Sequence, residues 1–241
     1  MTARVCRGSW VGSGLMALRL RSSSLLRPAL LLFPEHCAIC RRVDTRLCER
    51  CAELLAPASS PDAGDVVALD ATVALFAYSG AGRTAIARLK YDNHRDAMPT
   101  WAHLLADAID ASAPDPVGIV TWVPTSRRHR RDRGYDQAEL LARAVGRELG
   151  VRAMATVERN SEVSQRGRTR SERSDTSFRP SSAALGRLPG RCVAVVDDVR
   201  TTGASLNAVA EALRSAGARR VIGATIAATP APGLTQPTTA P

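Results

Sequence analysis

The sequence predicts an α/β fold, a parallel sheet flanked by helices, led by a small N-terminal module built on four cysteines. Three observations predict it. Short apolar runs alternate with helix-period patterns between Ala71 and Ala227, the order that a parallel sheet with covering helices requires. One of those runs, CVAVV at Cys192–Val196, passes directly into an acidic, glycine-containing turn and then an amphipathic pattern. Two C-x-x-C pairs, Cys37 with Cys40 and Cys48 with Cys51, fall within fifteen residues of one another.

At 241 residues and 45% hydrophobic content, the chain has material for one full core and a small appendage. The expected divisions are a poorly ordered extension over 1–30, the cysteine module over 31–57, the main domain over 65–228 and a disordered tail over 229–241. The tail is assigned on its Pro and Thr content and its lack of charge. The first thirty-three residues alternate arginines with short apolar runs. A signal peptide is disfavoured there, because Pro28 interrupts the apolar run, no small-x-small site follows and cysteines that must stay reduced come next. Met16 is an alternative start to Met1. No run of eighteen apolar residues occurs, so no membrane span and a cytoplasmic location are expected.

The elements follow in order. ATVALFAY at Ala71–Tyr78 reads as a buried strand, and a helix follows its Ser79–Gly82 turn through Lys90. A helix over Thr100–Ala111 precedes the Pro114–Pro116 break, and GIVTWV at Gly118–Val123 is a strand cut off by Pro124. Ala138, Leu141, Ala142, Val145 and Leu149 recur at helical spacing from Asp136, and Gly150 supplies the stop. Val151–Val157 is expected as a short strand, and Glu158–Pro180 as a long polar loop of the functional or mobile kind. After the CVAVV strand come a helix over Ala204–Ser215 and a last strand over Arg220–Ala227.

Four thiolates at this spacing can close a tetrahedral site, which suits zinc held by Cys37, Cys40, Cys48 and Cys51. With no open position the metal would be structural. A redox pair or plain buried thiols are the alternatives.

The net charge of +10 is almost wholly arginine, since Lys90 is the sole lysine. It fits anionic partners such as nucleic acid equally with a simple preference for Arg on solvated faces. Lys90 itself suits either a ligand anion or the C-terminal end of its helix.

The most informative segment is the turn after CVAVV. A small-residue turn into a helix N-terminus presents free backbone N–H groups to a phosphate. Gly203 permits close approach, Ala204 opens the helix, and Thr201, Thr202 and Ser205 add hydroxyls. Asp197 and Asp198 can accept from two ribose hydroxyls. Such residues also cap helices, but two adjacent carboxylates exceed what one cap uses. A second anion site is offered after GIVTWV by Pro124, Thr125, Ser126, Arg127 and Arg128, with a solvated basic loop as the alternative.

VAVVDDVRTTGAS resembles the phosphoribosyl pyrophosphate signature of type I phosphoribosyltransferases. Together with VPTSRRHRRDRGYDQAELLARAVG, AYSGAGRTAIARLKY and the leading cysteine pairs, it resembles the ComF family over roughly residues 31–227. The likeness extends to the phosphoribosyltransferase half of amidophosphoribosyltransferase. It implies that Asp197 and Asp198 take the ribose hydroxyls, that Thr201–Ser205 take the 5-phosphate and that Pro124–Arg128 take the pyrophosphate. It also implies a zinc module ahead of the transferase domain and a part in DNA uptake during competence or in nucleotide metabolism. Lys90 and Tyr91 match a Lys-Tyr pair of the family. The Arg159–Phe178 stretch, with Gln165 and Arg173, resembles a closing loop, but the Arg-Asn pair expected shortly before Phe178 is not present.

Two functions follow. One is displacement of pyrophosphate at ribose C1 by an acceptor, with magnesium bridging ligand oxygens. The other is a non-catalytic nucleotide sensor or DNA-handling protein that keeps the fold and binds single-stranded DNA. The 4% aromatic content offers little for base stacking, which weighs against the second.

Overall fold

The computed structural model describes residues 36–43, 45–58, 66–91, 97–125, 135–159 and 177–230. Its elements are α1 (Glu49–Glu53), β1 (Ala71–Ala77), α2 (Gly80–Tyr91), α3 (Met98–Ser112), β2 (Ile119–Trp122), α4 (Gln137–Glu148), β3 (Arg152–Ala153), β4 (Val157–Arg159), β5 (Phe178–Pro180), β6 (Cys192–Arg200), α5 (Ala204–Ser215) and β7 (Arg220–Ala228). Five strands form one sheet in the order β1-β7-β6-β2-β3, every pair parallel.

The central strands are largely apolar because both faces of the sheet are covered. Along β6, Cys192, Ala194 and Val196 enter the core shared with α2, α3 and α4. Val193 and Val195, pointing the other way, pack with Leu206, Val209 and Leu213 of α5. β2 divides in the same manner, with Val120 and Trp122 on the first side and Ile119 on the second. The α3 side is anchored by Trp101, which meets Phe76 edge to face at 5.3 Å between centroids.

Two expected boundaries are corrected. Val151–Val157 is two elements: Arg152 and Ala153 extend the parallel sheet, whereas Val157–Arg159 turns away and pairs antiparallel with Phe178–Pro180. The break falls at a buried polar contact, where the Thr156 hydroxyl donates to Thr121 Oγ1 at 2.7 Å and holds the chain against β2. The strand expected to stop at Val196 continues to Arg200, its ladder with β7 running on to Ala228.

The cysteine segment packs into the main core. Cys37, Ile39, Cys48, Cys51 and Leu55 belong to the apolar cluster that holds Leu89 and Trp101, and Ala77 N–H donates to Ala56 O at 2.8 Å. The extension over 1–30, the tail from 231, Ser126, Arg127 and Arg128, and residues 160–176 with Gln165 and Arg173 lie outside the described residues.

Candidate functional site

β2 and β6 are neighbours, yet the chain leaves β2 for β3 through α4 and leaves β6 for β7, on the other side, through α5. Where parallel strands diverge in this way, a crevice opens at their carboxyl ends. Asp197, Asp198 and Thr201–Ser205 follow β6 toward that crevice, and of the second half Pro124 and Thr125 follow β2 toward it.

From β6 come the two carboxylates, each partly buried. Asp198 Oδ2 lies 2.8 Å from Lys90 Nζ at the end of α2. Its backbone N–H donates to Asp197 Oδ1 at 2.8 Å. Burial pushes the Asp197 carboxyl up to about 8, and the neighbouring charge of Asp198 adds to the shift. The Asp198 N–H and the Lys90 charge act against it without cancelling it. Asp197 is thereby shifted toward its protonated form, which can donate as well as accept.

Beyond β6 the chain turns through exposed Thr201 and Thr202 to Gly203, whose φ of +89° is left-handed and open to glycine at little cost. Gly203 caps α5 without any side-chain bond. Ala204 N–H is taken by the Thr202 hydroxyl at 3.3 Å, and the helix has no intrahelical acceptor for the next N–H groups, beside Ser205. An anion suits that position, since helix N-termini favour negative charge.

The β2 side is organised by Asp136, which is buried. One carboxylate oxygen accepts from Thr125 N–H at 3.1 Å, and the other accepts from the Thr125 hydroxyl at 2.9 Å and from Glu139 N–H at 3.3 Å. One side chain thus caps α4 and ties it to Thr125, just beyond β2. The bond between Asp136 and Thr125 joins segments eleven residues apart and has no local signature in the sequence.

Gln137, the next residue, is 3% exposed, and neither its carboxamide nitrogen nor its oxygen has a hydrogen-bond partner among the described residues. Buried amides are nearly always bonded, so this one retains hydrogen-bonding capacity in the first turn of α4. Nothing in the sequence marked it, because a glutamine in the first turn of a helix is ordinary.

The four cysteine sulfurs lie within 4.8 Å of one another, with Cys37–Cys48 at 3.8 Å and Cys40–Cys48 at 3.6 Å. A tetrahedral ion with bonds of about 2.3 Å sets its sulfurs about 3.8 Å apart, so the cluster is ready for one metal ion. Burial opposes ionisation of Cys37, yet backbone N–H groups of Cys40, Cys48 and Ile39 bring its thiol down to about 7. Burial raises Cys48 and Cys51. Thiols this close need a cation to ionise together.

A phosphoribosyl transferase domain model matches residues 133–236. Competence protein F of Haemophilus influenzae is 32% identical over 142 residues, which cover 56% of each chain. Competence protein ComFC of Streptococcus pneumoniae is 28% identical over 148 residues, covering 61% of this chain and 64% of that one. Among solved structures, the glutamine phosphoribosylpyrophosphate amidotransferase of B. subtilis in complex with ADP and GMP aligns at 17% identity and a TM-score of 0.39, over 57% of this chain and 30% of that one. Fold and domain match define a type I phosphoribosyltransferase-like protein. Within that class the chain is similar to these two competence proteins and spans somewhat over half the length of each. No helix among the described residues is long and apolar enough to cross a membrane.

Proposed function

We propose that the crevice binds phosphoribosyl pyrophosphate and that the chain transfers its phosphoribosyl group to an acceptor. The observation that carries the reading is the continuity of β6, Asp197, Asp198 and the uncapped start of α5 on one side of a strand divergence. A ribose hydroxyl pair meets Asp197 and Asp198, and the 5-phosphate meets the N–H groups and hydroxyls of Thr201–Ser205. Thr125, fixed by Asp136, begins the turn that takes the pyrophosphate, with Ser126, Arg127 and Arg128 supplying further donors. Lys90 restrains Asp198 and places a cation beside the ligand's oxygens.

Transfer breaks the bond between ribose C1 and the pyrophosphate oxygen and forms one to the acceptor. The electron pair leaves with pyrophosphate, so the chain's own contribution is to stabilise that charge and the cationic ribose. Magnesium suits an all-oxygen site with carboxylates and phosphates, and it would neutralise charge on the pyrophosphate. The four cysteines would hold zinc as a structural ion, since a closed thiolate set has no position for substrate. The likeness to two competence proteins supports a role in DNA uptake or the nucleotide metabolism that serves it.

The test is calorimetry of phosphoribosyl pyrophosphate with magnesium against the native chain and Asp197→Asn/Asp198→Asn. Binding by the native protein and its loss in the double variant are expected. Equal binding by both would move the ligand elsewhere, and no binding by the native protein would remove the substrate from the proposal.

A further inference from the structure

The sheet has a second end. At the amino edge of β2, β3 and β6, a cavity of about 350 Å³ is lined by Arg152, Arg187 and Arg191 together with Ile119, Met154 and Pro189. Arg191 immediately precedes β6, so at about 3.3 Å per residue the cavity lies roughly 20 Å along the strand from Asp197. It is a different place from the carboxyl-end crevice.

None of the three guanidinium groups makes a hydrogen bond or ion pair among the described residues, and no carboxylate lines the cavity. Other arginines of the chain do have carboxylate partners. Arg219 and Arg220 share Asp115 at 3.0 and 3.4 Å, and Arg214 holds Asp70 at 2.6 Å. The three guanidinium groups of the cavity thus differ from these in having no carboxylate partner among the described residues. Gly118, also in its lining, leaves room for one of the three, since a Cβ there would stand 3.3 Å from Arg191 Cδ.

Three planar donors around one concavity match a phosphate group, which takes paired N–H bonds from guanidinium better than from any other side chain. The inner wall is apolar: Ile119 and Met154 are buried members of the core on the α5 side. The volume sits at the lower end of the roughly 300–1,000 Å³ usual for small-ligand sites. We infer that this cavity binds a small phosphorylated ligand of nucleoside-monophosphate size, with its phosphate on Arg152, Arg187 and Arg191 and its ring against Ile119 and Met154. The inference stands apart from the reading of the carboxyl-end crevice.

The experiment titrates AMP, then UMP, into the full chain at physiological ionic strength. The native protein is compared with Arg152→Ser/Arg187→Ser/Arg191→Ser and with Asp197→Asn/Asp198→Asn. The arginines are exposed and make no bonds, so the triple variant is expected to keep the native unfolding temperature. A nucleotide should bind the native chain, bind the triple variant about tenfold or more weakly, and bind the aspartate variant undiminished. Loss in the aspartate variant with retention in the triple variant would place the nucleotide in the other crevice and overturn the inference. So would absence of binding by both nucleotides. A dT oligonucleotide bound through the three arginines while AMP and UMP are refused would assign the cavity to a phosphodiester backbone and likewise overturn it.

Discussion

Asp197 and Asp198 are adjacent in sequence, but their partners separate their chemistry. Lys90 neutralises Asp198, whereas Asp197 is crowded by protein and by its neighbour's charge, which raises it to about 8. A carboxyl raised in the folded state holds a proton that the unfolded chain has already lost above about pH 4. Its stabilising contribution is thus full below that value and lost as pH rises toward 8. Native stability should fall between pH 5 and 7 by up to about 1.4 kcal/mol per pH unit from this group, and Asp197→Asn should lack that slope. Urea unfolding at pH 5, 6 and 7 checks it; parallel curves for the two proteins would show that Asp197 ionises normally. Gln137 poses the converse test. Replacing its unbonded amide by the similarly shaped Met should stabilise the free protein by about 1 kcal/mol, while weakening phosphoribosyl pyrophosphate binding if the amide meets that ligand. A loss of stability would mean the amide is already satisfied.

At the scale of elements, α4 and the end of β2 are held together because Asp136 bonds both Glu139 and Thr125. Asp136→Ala removes the helix cap and both bonds to Thr125, so it should cost about 2–3 kcal/mol in urea unfolding and weaken ligand binding. Asp136→Asn keeps an acceptor and should recover part of each. An unchanged binding constant in the Ala variant would detach Thr125 from the ligand. The elements also show where sequence was informative. CVAVV and GIVTWV were legible as buried strands because both faces are covered, and the α4 stripe of Ala138, Leu141, Ala142 and Val145 was legible because one face is. The β4–β5 ribbon was not, since each strand is three residues long and its pairing joins Arg159 to Phe178 across the chain. At the site the same division holds. Asp197, Asp198 and Thr201–Ser205 are contiguous and could be read in order, whereas the ties from Lys90 to Asp198 and from Asp136 to Thr125 exist only once the helices dock on the sheet.

For the whole molecule, the question is whether the cysteine segment is an appendage or part of the fold. Spacing alone set it apart as a module over 31–57. In the structure Cys37, Ile39, Cys48, Cys51 and Leu55 share one apolar cluster with Phe76, Leu89 and Trp101, and Ala56 bonds to the last residue of β1. A metal that closes the four sulfurs therefore acts on the same core that supports β1 and α2, the helix carrying Lys90. Metal binding to the folded state alone adds to its stability, and the gain is felt by every element that unfolds with the site. Calorimetric melting should show a single transition, shifted downward as one by chelation or by Cys48→Ser, with phosphoribosyl pyrophosphate binding weakened alongside. Two transitions, of which chelation removes only the smaller, would make the cysteine segment an independent module whose metal leaves the crevice untouched.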